Sequence, residues 1–212
     1  MTAVHPYHHA NLRKTLLDAA VVLIGEVGPR AFTLREVARR AGVSHNAPYR
    51  HFASKDELLV AVAAEGFDRL AEVMTKSMAA AGSPRERLVQ CGCGYVDFAL
   101  RWPHHLLVMF DLPVTERKCA KEELALGENA FRVLLDCIIA TQQSGDLPPG
   151  DPLPLAWRAW SLVHGISKLA ISGNLTLSAR ATIAFTRSAA ESMFGNMNLV
   201  ASPESKAQGR FD

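Results

Sequence analysis

The sequence predicts an all-α protein of about nine helices. Apolar residues recur at spacings of three and four over most of the 212 residues, and alternating strand patterns are scarce. Ser/Thr-x-x-Glu boxes, in which a hydroxyl and a carboxylate satisfy the orphan N–H groups of a helix start, occur three times at the heads of such stretches.

The elements follow in order. Leu12, Leu16, Ala20, Leu23, Ile24 and Val27 make one apolar face of a first helix, ended by Gly28-Pro29. Thr33-Leu34-Arg35-Glu36 opens a short second helix, which Gly42 closes as a left-handed cap. A third helix begins between Ser44 and Asn46. Ser54-Lys55-Asp56-Glu57 opens a long fourth helix with Leu59, Val62, Ala63, Gly66, Leu70 and Val73 on one face. Ser83-Pro84-Arg85-Glu86 opens a fifth, its proline at the first helical position, where a missing N–H costs nothing. That helix covers residues 84–101; short and long pieces follow at 103–111 and 115–143. Four prolines in the ten residues GDLPPGDPLP exclude helix and sheet alike. Helices over 152–172 and 178–195 complete the set. The expected division is a head of residues 1–55 with an arm of 1–10, a helical body of 56–195, and a loose tail of 196–212.

Hydrophobic residues make up 49% and charged ones 21%, ordinary values for a globular chain. Apolar runs break well short of the ~18 residues a membrane span needs. The start MTAVHPYHHANLRK lacks the apolar core of a secretory signal, which predicts a cytoplasmic protein. Cys91, Cys93, Cys119 and Cys137 show no zinc spacing and read as free thiols. No cofactor or metal motif is present. His5, His8 and His9 lack a carboxylate or thiol partner, so the leading segment reads as an arm that touches DNA backbone or caps helix one.

Charge is uneven. Residues 1–55 hold eight Lys/Arg against three Asp/Glu, while the rest holds fifteen against eighteen. A basic first quarter on a mildly acidic body points to a polyanion-binding head.

Two short helices joined by a Gly-bearing turn, then a basic helix, form a helix-turn-helix pattern. Pro48 falls in or beside the first turn of that third helix, where one hydrogen bond at most goes unmade. Pro48 and Phe52 share the inward face; His45 with Tyr49, and Asn46 with Arg50, share the polar one. Arg50 and Asn46 suit bidentate contacts to guanine and adenine edges, and His45 can donate or accept. Tyr49, His51 and Lys55 suit phosphate oxygens, and Thr33 and Arg35 reach toward backbone. The competing reading is a solvated polar face.

From Leu12 to Leu59 the chain resembles the DNA-binding domain of the tetracycline-repressor family of bacterial regulators. The matching residues are Ala19-Ala20, Gly25, Phe32-Thr33, Arg35-Glu36-Val37-Ala38, Ala41-Gly42-Val43-Ser44, Tyr49, His51-Phe52, Ser54-Lys55 and Leu58-Leu59. The resemblance implies a dimer that reads operator DNA through its third helix and takes a small ligand in an all-α body. It places His45, Asn46, Ala47 and Arg50 on the base-facing side and Tyr49, His51 and Lys55 on phosphate, with Ser44 also among the DNA-binding residues. Pro48 departs from it, since many members carry leucine there. Proline keeps the inward apolar role and shortens the reading helix.

In the body, helix 152–172 is apolar nearly all round and must be covered on every side. With the Ala- and Ser-rich helix 178–195 it makes a dimer seam. Trp160-x-x-x-His164-Gly165 resembles the Trp–His–Gly pattern of one subclass of the family's C-terminal domains. Tyr95, Phe98 and Trp102 read as one stripe; Leu124, Phe131, Leu135, Ile138 and Gln142 as another; Met109 and Phe110 close the short helix between. Such stripes are usually core, but this set has the makeup of a mostly apolar effector cavity with Tyr95, Trp160 and His164 as polar anchors. The reading is a repressor, released by a small apolar ligand. The alternatives are a hydrolase using Cys91 or Cys93 with His104 or His105, and a partner-binding protein with a vestigial head.

Overall fold

The computed structural model describes residues 9–111 and 120–195. Among them lie eight α-helices: α1 (His9–Val27), α2 (Leu34–Arg40), α3 (Lys55–Ser77), α4 (Pro84–Arg101), α5 (Pro103–Asp111), α6 (Ala120–Gln143), α7 (Leu153–Ile171) and α8 (Ala179–Gly195). No described residue is in a strand. The expected arm before residue 9, the tail after 195, Cys119 and the side chain of Leu124 lie outside the described residues.

The third helix is the difference. Residues 48–50 form a single turn of 3-10 helix, so eight α-helices and this turn stand where nine helices were expected. Proline explains it. An α-helix would have the residue-48 N–H donate to the Ser44 carbonyl, and proline has none. Ala47 N–H takes that carbonyl instead at 2.9 Å, and Arg50 N–H reaches Ala47 O at 3.3 Å. The three-residue step thus continues to Pro48, whose carbonyl accepts from both His51 and Phe52 at 2.9 Å.

The described chain divides into two compact units, one of residues up to 69 with 102–129 and one of 70–101 with 130 onward. The expected boundary at 55/56 falls inside the first.

In the first unit, Leu16, Ala20, Leu23 and Ile24 of α1 bury against the head core, but Val27 is half-exposed because the chain turns at Gly28 with φ +83°. Leu34, Val37 and Ala38 of α2 join Phe32, Phe52, Leu58 and Val62 in that core. The Thr33 box forms as expected. Thr33 N–H donates to Glu36 Oε2 at 2.7 Å and Glu36 N–H donates to Thr33 Oγ1 at 3.3 Å. At Ser54 and Ser83 the reciprocal bond lands one residue earlier, on Ala53 N–H and Gly82 N–H. Helix α5 presses on α1: a Cβ on Gly25 would stand 2.5 Å from His104 Nε2. His105 beside it is buried, and burial holds its imidazole neutral with a pKa lowered to about 4.

In the second unit α4 packs against both α7 and α8. Gly94 lets the last turn of α3 come close, since a Cβ there would meet the Met74 Cα at 3.0 Å. Helix α7 buries Ala156, Ala159, Val163, Ile166 and Ser167 on one side. Leu153, Trp157, Ser161, Gly165 and Leu169 line the opposite side at four-residue steps, all exposed in the single chain. On α8, Thr182, Thr186, Ala190 and Phe194 are buried, while Ala184, Phe185, Ser188 and Ser192 are exposed or half-exposed.

Candidate functional site

The segment Ser44 to Phe52 is a turn pinned from below. Pro48 and Phe52 are buried, Phe52 with only 2% of its surface exposed, and the guanidinium of Arg13 lies 5.4 Å from the Phe52 ring centroid. Above them His45, Asn46, Tyr49 and Arg50 are exposed, Tyr49 by 51%. The inward and outward residues therefore sort as the sequence predicts, although the backbone is tighter. The 3-10 turn itself covers only Pro48–Arg50, with Ala47 half-buried just before it.

The flanking cations divide into two kinds. Arg35 and Arg39 on α2 are exposed. Lys55, at the start of α3, is half-buried: its ammonium donates to the Arg30 carbonyl at 2.8 Å and sits 4.6 Å over the Phe32 ring. Burial pulls its pKa down, against the attraction of Asp56 and Glu36. Arg40 is forked onto Glu26, with Nη1 to Oε1 at 2.8 Å. Thr33 spends its hydroxyl on the Glu36 carboxylate at 2.9 Å. His51 is half-buried, and its Nε2 is enclosed without a hydrogen-bond partner. The solvent-facing reading set is thus Ser44, His45, Asn46, Tyr49 and Arg50, with Arg35 exposed on α2.

The body residues fall into both units. Trp102, Met109 and Phe110 belong to the first. There Arg69 stacks over Trp102 at 5.0 Å, Phe110 meets Phe67 edge-on at 5.6 Å, and Met109 lies against Gly66. Trp102 does not extend the Tyr95–Phe98 stripe, because α4 ends at Arg101 and Pro103 starts a new helix, which breaks the register.

Tyr95, Phe98, Phe131, Leu135, Ile138, Trp160 and His164 belong to the second unit. Phe98 and Ile138 are fully buried core. The three polar anchors meet although 69 residues separate Tyr95 from His164: Tyr95 Oη lies 2.9 Å from His164 Nδ1. Trp160 also hydrogen-bonds Tyr95, lowering its pKa slightly against a larger rise from burial. Indole N–H only donates, so the phenol oxygen accepts from Trp160, and the same hydroxyl links it to His164 Nδ1. Tyr95→Phe is expected to strip both neighbours of a buried partner and to cost about 1–3 kcal/mol in urea unfolding. A change within error would mean the chain of bonds contributes nothing.

Two features escape a sequence reading. Trp157 stacks on Trp160 at 5.8 Å with ring planes 7° apart, and Phe131 lies 5.3 Å from each. In the first unit a cleft of about 580 Å³ opens between Arg13, Lys14 and Leu17 of α1 and Ala61, Ala64 and Glu65 of α3. The paired alanines are its only sequence signal. Cys91, Cys93 and Cys137 are free and buried. The hydrogen bond to Cys137, and then burial, push the Cys91 thiol up; burial does the same to Cys93. No helix among the described residues is long and apolar enough to cross a membrane.

Residues 16–62 match the family model of bacterial regulatory proteins of the tetR family, and residues 88–192 that of the tetracyclin repressor-like C-terminal domain. Over 76 residues the chain is 42% identical to the HTH-type transcriptional regulator BetI of Rhizobium meliloti, covering 36% of this chain and 37% of that protein. Over the same length it is 37% identical to the HTH-type transcriptional repressor KstR of Mycolicibacterium smegmatis, with the same coverage of each. These curated relatives are therefore matched over little more than a third of their length. A structure of a protein of unknown function from Rhodococcus sp. RHA1 superposes with a TM-score of 0.77 at 30% identity, covering 92% of this chain and 99% of that one. A regulatory protein in the tetR family from Rhodococcus RHA1 gives 0.72 at 22% identity over 86% and 96% of the two chains, a likeness of fold alone.

Proposed function

The chain belongs to the tetR family of bacterial regulatory proteins, and from that premise we propose that it is a sequence-specific DNA-binding transcriptional regulator. It acts as a homodimeric repressor on a near-palindromic operator and leaves it when a small, largely apolar ligand enters the body. The observation that carries this is the outward set His45, Asn46, Tyr49 and Arg50 held over buried Pro48 and Phe52. One such turn reaches only a few base pairs, so a two-fold pair of heads is needed to read a site. The exposed stripe Leu153, Trp157, Ser161, Gly165 and Leu169 on α7, with exposed Phe185 on α8, supports the seam between copies. Large rings fill and small residues permit close approach. The likeness to a relative named a repressor supports the sign of regulation. The linked trio of Tyr95, Trp160 and His164 supports a C-terminal part of the Trp–His–Gly subclass. The hydrolase alternative needs a thiolate, and Cys91 and Cys93 are both held in the thiol form.

The test is selection of bound fragments from random DNA with the purified full chain, alongside its mass in solution. The expected result is a dimer enriching an inverted repeat, its half-sites about one helical turn, ~34–36 Å, apart. A monomer, or a pool with no enriched sequence, would overturn the proposal.

A further inference from the structure

Three sulfur atoms from separate segments of the second unit converge away from the aromatic residues described above. Cys137 on α6 points its Sγ at the thioether of Met78, 3.2 Å away, in the turn that follows α3. Cys91 on α4 hydrogen-bonds to Cys137 as well. Cys93, two residues along α4, faces elsewhere, toward the Ile183 carbonyl at 4.0 Å. Cys91 is completely buried, Cys137 is 9% exposed, and Met78 is half-buried, so the cluster is most accessible at Met78.

We propose that Cys91, Cys137 and Met78 form a three-sulfur binding site for a soft monovalent cation, Cu(I). Two thiolates and a thioether are the donors that select Cu(I) over harder ions. Zinc is a poor fit, since a structural zinc site takes four ligands from Cys, His or carboxylate, and among the described residues no three His, Cys, Asp or Glu cluster in that way. Binding forms three Cu–S bonds, breaks two S–H bonds and releases two protons to solvent, with no change of oxidation state. The resulting site carries one negative charge. With metal–sulfur bonds of about 2.3 Å, trigonal sulfurs stand roughly 4 Å apart. Met78 must therefore withdraw somewhat from Cys137, a movement its unbranched side chain allows. Occupancy ties the turn after α3 to α4 and α6.

The experiment is an anaerobic titration of the reduced full-length protein with Cu(I) in acetonitrile, in competition with bicinchoninate. The expected result is one equivalent withdrawn from the chelator, with thiolate-to-copper absorption in the near ultraviolet. Cys91→Ser and Cys137→Ser each lose it, and Cys93→Ser keeps it. Met78→Leu, a half-exposed change that spares the fold, weakens binding at least tenfold. Copper left wholly with the chelator overturns the assignment. So does binding that survives unchanged in both serine variants, which would place the ion on the His5, His8, His9 segment or on Cys119. Unaltered affinity in Met78→Leu removes the thioether and with it the site as stated.

Discussion

Phe52→Ala is expected to destabilise the protein by about 3–5 kcal/mol, the range for emptying a buried aromatic position. The ring is 2% exposed, stands against His51 at a centroid distance of 6.4 Å, and is covered by the Arg13 guanidinium. It also ends the reading turn, with its N–H bonded to the Pro48 carbonyl. Alanine keeps that backbone bond and removes the weight beneath it. The damage should therefore be local first: amides between Ser44 and Phe52 should exchange with solvent faster than those of α7 and α8. Phe52→Leu restores most of the volume and should recover most of the stability. The measurement is the shift in denaturant midpoint at constant slope, with hydrogen exchange to locate it. A loss below about 1 kcal/mol would show that the cavity closes without cost and that Phe52 is not what holds the turn.

The same residues show what a sequence reading can reach. The Thr33–Glu36 box, the φ +69° of Gly42 and the burial of Pro48 are settled within a few residues, so local rules are enough for them. The pairing of Tyr95, Trp160 and His164 is approachable because three polar groups on two apolar helices have few places to go but toward one another. The stripe through Trp102 fails for a local reason too: it assumes one continuous helix across Trp102-Pro103. Trp157 escapes for a different reason. It is 57% exposed, and exposure depends on which side of α7 meets α4 and α8, something periodicity cannot decide on a helix apolar all round. Residue type alone makes Lys55 and Thr33 partners for phosphate. The ammonium resting on Arg30 O and Phe32, and the hydroxyl on Glu36, are tertiary or capping interactions that any duplex must compete with.

That distinction gives the second large effect, on DNA. Arg50→Ala is expected to weaken binding to the selected operator by about 1–3 kcal/mol, roughly 5- to 160-fold, and to relax preference at one base pair in each half-site. Arg50 is exposed on the outward side of a turn that its side chain does not help to hold, so its removal leaves the packing intact. Arg35→Ala, also exposed, should instead weaken all sequences alike and reduce the salt slope by about 0.9 for each phosphate the arginine no longer neutralises. Lys55→Ala mixes the two kinds of effect, because removing its ammonium also frees the Arg30 carbonyl and uncovers Phe32. Its effect on affinity should come with a fall in stability that Arg50→Ala does not share. Binding isotherms at several salt concentrations, on the operator and on single-base variants, separate the three. If Arg50→Ala lowered affinity equally for every sequence, the guanidinium would sit on phosphate. The 3-10 geometry would then have turned base reading over to His45 and Asn46, the exposed side chains one turn earlier.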